Sequence, residues 1–186
     1  MNPKSNEALA SYLSDMSALE EHIQKALEGQ LKDSNIESSV AAVLGEIHAR
    51  CEAHVSGLNA LHEAIAEPGQ GVSDLVKKAA SGLLGFGAAA IDRARTEFAK
   101  NLRDDYTALS LANAGYAMLY TSALSMKSVA VETAARQFLA DHTKSAAAVF
   151  DLLPSAVFST LRDDGAEADL NVLSTAKAGI EQAIRA

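Results

Sequence analysis

At 186 residues the chain fits a single domain whose hydrophobic core needs no disulfide or metal staple. Alanine is abundant, Trp is absent, only Pro3, Pro68 and Pro154 interrupt the backbone, and β-branched runs are short, which points to helices and away from a β-rich fold. A formal charge of −8 argues against the basic face that duplex DNA or an anionic membrane needs, so no nucleic-acid partner is expected.

The single Cys51 cannot close an internal disulfide, and the opening MNPKSNEALA carries no charged-then-apolar leader. A reducing, cytoplasmic setting is the expectation. The first helix is predicted from about Asn6 to Glu28, ended by Gly29, which suits a left-handed turn. At 100° per residue its apolar stripe is Leu9, Leu13, Met16, Leu19, Ile23 and Leu27, with Glu20 inside the stripe and Glu21 outside it. A second helix is predicted to open at Ser34, with Glu37 completing a capping box, and to run to about Ala66, where Pro68-Gly69 stops it. Its stripe of Ile36, Val40, Val43, Ile47, Leu58, Leu61 and Ile65 has His54 at its centre and Cys51 one turn earlier, while His48 and Glu52 face outward.

Residues 67–100 read as a long crossover, with a short helix from Ser73 and a second helical piece after Gly87. Within it, Ala79 to Ile91 (AASGLLGFGAAAI) is apolar, but at about 13 residues it is shorter than the ~20 needed to span a bilayer. Gly82, Gly85 and Gly87 also weaken it as a helix. A buried crossover segment is the expectation, with a membrane-touching or partner-docking patch as the alternative and no stable membrane insertion.

The third helix is predicted from about Asn101 to Ala123, with Leu102, Tyr106, Leu109, Tyr116, Tyr120 and Leu124 as its stripe and Asn113 in the middle. The fourth runs from about Ser128 to Leu152 and turns Val131, Ala135, Phe138, Val149 and Leu153 inward, with His142 central and Leu139 one turn before it. Pro154 ends that helix or starts a short one through Leu161, closing a bundle of residues 1–161. Residues 162–186 form a linker, Arg162 to Gly165, and an amphipathic helix from Glu167 to Arg185 that packs on the bundle or on a partner.

Two helical hairpins joined by a long crossover are the connectivity of ferritin-like four-helix bundles, whereas an up-and-down bundle uses three short loops. The fold expected is therefore all-α, a ferritin-like bundle plus a C-terminal helix. SALEEHIQKALEG in the first helix, HARCEAHVSGLNALHEAI in the second, and RDDYTALSLANAGYAMLYTSAL followed by ARQFLADHTKSAAAVFDLLP in the last two carry a family resemblance over about two thirds of the chain. The chain resembles the bacterial ferritin-like proteins of unknown function often linked to stress responses, relatives of ferritin and of the di-iron carboxylate proteins.

That resemblance lays Glu20 on the first-helix Glu of the di-metal template, Cys51-x-x-His54 on the first Glu-x-x-His, Asn113 on the third-helix Glu, and Leu139-x-x-His142 on the last motif. Both histidines remain and three of four carboxylates are replaced, so ferroxidase or oxygenase chemistry is not expected. Counting outward from the turns puts Asn113 level with Leu139 and His142. The same count leaves Glu20 roughly 10 Å from the level of Cys51, so that Tyr12 or Met16 faces the thiol instead.

Two functions from different classes follow. The first is a structural or interaction protein without a working di-iron site, not an enzyme, associated with stress response and dimeric through an apolar helix or the crossover. Its histidines are then core residues bonded to Asn113, Tyr106 or Tyr120, and it takes no cofactor. The second is a metalloprotein with one Zn, Fe or Mn ion, or an altered di-metal centre, held by Glu20, Cys51, His54 and His142. An enzyme working from Cys51 and His54 is a third reading that requires an activated thiol. No phosphate-cradling glycine loop, Gly-x-Ser-x-Gly or Cys-x-x-Cys occurs, and no catalytic residue is assigned.

Overall fold

The computed structural model describes residues 3–34, 36–65 and 98–185. Five α-helices account for most of them: α1 (Pro3–Leu31), α2 (Ser38–Ile65), α3 (Phe98–Ser125), α4 (Val129–Asp163) and α5 (Leu173–Arg185), the last preceded by a 3-10 turn at Leu170–Val172. The described part of the chain is all-helical, and none of its helices is long and apolar enough to cross a membrane.

Apolar residues three and four apart turn one stripe of each long helix inward, and burying those stripes holds the bundle together. α1 packs against α2 and α3, and α4 packs against the same two, so the four helices close a ring around one core. Leu9, Leu13, Leu44, Leu58, Leu109 and Val149 are fully enclosed there. Each such side chain contributes roughly 1.5–3 kcal/mol of burial. Met16 lies flush against Gly115, where a Cβ would collide with its sulfur; the glycine lets α1 and α3 approach closely at that level.

Pairings between helices fix their directions. Going up α1 from Ser17 to Glu20, the α2 partners go down from Asn59 to His54; from Glu20 to Gln30, the α3 partners go down from Tyr116 to Asp105. Along α2, Arg50 meets Ser145 and His54 meets Asp141, so α2 and α4 are antiparallel as well. α2 and α3 therefore run parallel, and Ile65 and Phe98 lie at opposite ends of the bundle. The expected crossover of residues 67–100, with its helix from Ser73 and the apolar stretch from Ala79 to Ile91, lies outside the described residues except for 98–100, which already belong to α3.

Several boundaries differ from the sequence-based expectation. α1 does not stop at Gly29 but continues to Leu31, and a turn carried by Asp33 N–H to the Gln30 carbonyl follows. The Ser34 capping box does not form. α2 is started by the Glu37 carbonyl, which accepts from Ala41 N–H, while the Glu37 side chain accepts from the Ser39 hydroxyl. Pro154 neither ends α4 nor starts a new helix. It costs one backbone bond, yet Val149 before it and Ala156 after it are buried, and packing on both sides carries the helix through to Asp163.

The turn from α3 to α4 places Lys127 in the left-handed region at φ 57°, and Ser128 N–H reaches back to the Ala123 carbonyl, closing the end of α3. The final helix is shorter than expected, because residues 166–169 are not helical. It meets the bundle through α4, yet none of its residues is buried.

Candidate metal centre

One carboxylate sits at the middle of the ring. Glu20 belongs to the α1 stripe between Met16 and Ile23 and is 0% exposed. Cys51 and His54, three apart, share the inner face of α2; Tyr116 and His142 come from the inner faces of α3 and α4. All four helices thus send polar atoms to one point, and every one of those residues is buried.

Glu20 Oε1 accepts a hydrogen bond from the Tyr116 hydroxyl, and it lies 2.9 Å from His54 Nδ1 and 2.6 Å from His142 Nε2. An ionised carboxylate oxygen only accepts, so the ring nitrogens facing it carry the hydrogens. Burial alone pushes the Glu20 carboxyl upward, but the hydrogen bonds and positive charge of His142 and His54 outweigh it and hold the group at about 2. Glu20 is therefore an anion at neutral pH. Tyr116 and Cys51 are both pushed well above their ordinary range, first by burial and then by the Glu20 charge.

The rings around the carboxylate are held in fixed planes. Tyr116 stacks on His142 with centroids 5.4 Å apart, and Phe138 stacks on His54 at 4.1 Å. The far nitrogen of His54, Nε2, lies 3.5 Å from Oδ2 of Asp141, and Gln137 donates to both oxygens of that aspartate at 3.1 and 3.0 Å.

Two atoms in this group are left over. Glu20 Oε2 and His142 Nδ1 are buried and find no nitrogen or oxygen partner among the described residues. Beside them, ligand atoms of Glu20, Cys51 and His142 all lie within 4.8 Å of one another. A buried polar atom without a partner costs about 1–3 kcal/mol and calls for an explanation. A thiol, an imidazole and a carboxylate at that separation are donors that a borderline cation such as Zn²⁺ accepts.

Glu20, Cys51, His54 and His142 are thus brought together, and the expected 10 Å offset between Glu20 and Cys51 does not occur. The turn after α1 spans residues 32–37 rather than centring on Lys32, so Cys51 lies within about two residues, or 3 Å, of the level of Glu20. Met16 faces Gly115 instead of Cys51.

Asn113 is the second correction. It is half-buried, accepts from Thr143 Oγ1 at 3.3 Å and takes no part in the centre. Tyr116, one turn later, occupies the place expected for it. Leu139 is half-buried against the core, so the template's last carboxylate has no substitute there. The histidines bond Glu20 and not Asn113, Tyr106 or Tyr120, and the raised thiol of Cys51 is the opposite of an activated nucleophile. Comparison with known proteins adds no relative: no family model, no curated protein and no solved structure matches the chain.

Proposed function

We propose that this chain is a ferritin-like helical bundle that binds a single borderline transition-metal ion, Zn²⁺ or a chemically similar one, at its centre. Glu20, Cys51 and His142 are its ligands, with His54 as a fourth ligand or as the group that orients Glu20. The observation that carries this reading is a buried group in which one ligand atom each of Glu20, Cys51 and His142 lie within 4.8 Å of one another, while Glu20 Oε2 and His142 Nδ1 have no nitrogen or oxygen partner among the described residues. The ferritin-like part is supported by the parallel run of α2 and α3, which requires a connection between opposite ends of the bundle.

One ion, not two, fits the charge. A di-metal centre uses several carboxylates to bridge and neutralise its cations, and Glu20 is the only carboxylate among the four core ligands. Elemental analysis of protein purified without added metal, and again after dialysis against Zn²⁺, tests the reading. One ion per chain, lost in Glu20→Gln and in His142→Ala, is the expected result; zero or two overturns it.

A second reading, an interaction protein that pairs through apolar helix surface, has its own observation. Leu111, Met118 and Leu124 on α3 and Val157 and Leu161 on α4 are large apolar side chains left exposed. Sedimentation equilibrium at micromolar concentration tests it: a dimer supports the pairing and a monomer removes it.

A further inference from the structure

The proposed centre is sealed along the bundle axis. Ile23, Ile47 and Ala112 plug it on one side and Met16, Leu58 and Leu119 on the other, all of them buried. Cys51 and Tyr116 are 0% exposed and His142 is 2% exposed, so none of them meets solvent directly. A dehydrated cation does not cross such a wall without ligands to take over its water.

One side of the ring offers them. His54 bridges Glu20 and Asp141, with Nδ1 toward the buried carboxylate and Nε2 toward Asp141 Oδ2 at 3.5 Å. The Asp141 side chain is 22% exposed, so this pair joins a group bonded to the centre to a group open to solvent. Phe138 covers His54 on its open face, and its ring lies against the bare backbone of Gly57, where an added Cβ would come to 3.0 Å from the ring edge. Arg50, four residues before His54, is engaged by Ser145 and Glu46.

Resting on the single-ion reading, we propose that Asp141 is the entry ligand of the buried centre: a hydrated divalent cation docks on its carboxylate and is handed inward by His54. Gln137 donates to both carboxylate oxygens, which orients Asp141, and gives way to the ion. Because entry and exit share one path, removing the carboxylate changes both rates and leaves the equilibrium nearly untouched.

The test uses the full chain freed of metal by chelator and Co²⁺ as the probe, with uptake followed by stopped-flow absorbance of the thiolate-to-cobalt band. Asp141→Asn is expected to slow both uptake and chelator-driven release by about tenfold or more. Its final spectrum, one-ion stoichiometry and affinity should stay within about threefold of the wild type. Asp141→Glu is expected to recover most of the rate, and Asp151→Asn, an exposed charge on the same helix, to change nothing. Unchanged rates in Asp141→Asn overturn the entry role. So does a loss of affinity with uptake unaffected, which would make Asp141 only a support for His54. A wild-type chain that develops no cobalt band overturns the single-ion reading itself, and the route with it.

Discussion

Glu20 Oε1 and His142 Nε2 lie 2.6 Å apart at the centre of the ring and tie the first helix to the fourth. The carboxylate in that contact stays ionised down to about pH 2, against an ordinary value of 4.5. The unfolded chain therefore takes up a proton that the folded chain refuses between those two values. Stability from Glu20 is complete above about pH 4.5 and is lost as the pH falls toward 2, at about 1.4 kcal/mol per pH unit. Urea unfolding of the metal-free protein between pH 2 and 6 should show this acid limb, and Glu20→Gln should flatten it. Glu20→Ala, which leaves two histidines and a tyrosine facing a void, is expected to cost roughly 3–5 kcal/mol at pH 7.

Asp105 moves the other way. It is 4% exposed, its carboxyl is raised to about 7, chiefly by burial with a smaller push from Asp104, and the amide of Gln30 bonds it, at 2.8 and 2.9 Å. Here the folded state holds the proton and the unfolded state does not, so this contribution is present below about pH 4 and is lost as the pH rises through 7. Asp105→Asn removes the buried charge, and its amide can donate to Gln30 Oε1, which is buried without a partner. The variant should match the wild type near pH 4 and exceed it by a few kcal/mol at pH 9 in chemical denaturation. Equal stability at both pH values would count against the buried charge.

Cys51 is fully enclosed and its thiol is raised by burial and by the Glu20 anion. Labelling by a neutral-pH disulfide reagent should be slower in the folded chain than in urea by on the order of a hundredfold or more, and should follow unfolding. Fast labelling of the native protein would revive the cysteine-enzyme reading. Zn²⁺ should slow it further, since a metal-bound thiolate is withdrawn from the reagent and the ion stabilises the folded state.

Much of the centre could be read from the sequence, because a polar residue inside an apolar 3.6-period stripe has nowhere to go but inward. Glu20, Cys51, His54 and His142 all stand out on that ground. What a Cα count misses is lean: side chains on a helix tilt toward its N-terminus. In the antiparallel pairs α1–α2 and α3–α4 that tilt draws Glu20 toward His54 and Tyr116 toward His142, closing offsets that helix rise alone leaves open. Asn113, level with His142 by count, is swung off the axis and replaced by Tyr116, whose long side chain reaches the carboxylate.

The helix ends were less legible. Gly29 and Pro154 are local stop signals overruled by packing on either side, and Ser34 caps nothing because it lies in the turn after Leu31 and α2 opens only at Ser38.

The X-ray absorption fine structure of the zinc-loaded chain tests the proposed centre most directly. One sulfur at about 2.3 Å with nitrogen and oxygen neighbours at about 2.0–2.2 Å, and no second metal within 4 Å, is the expected first shell. A shell of light atoms alone, unchanged in Cys51→Ser, or a metal–metal vector would contradict a single ion held by Glu20, Cys51 and His142.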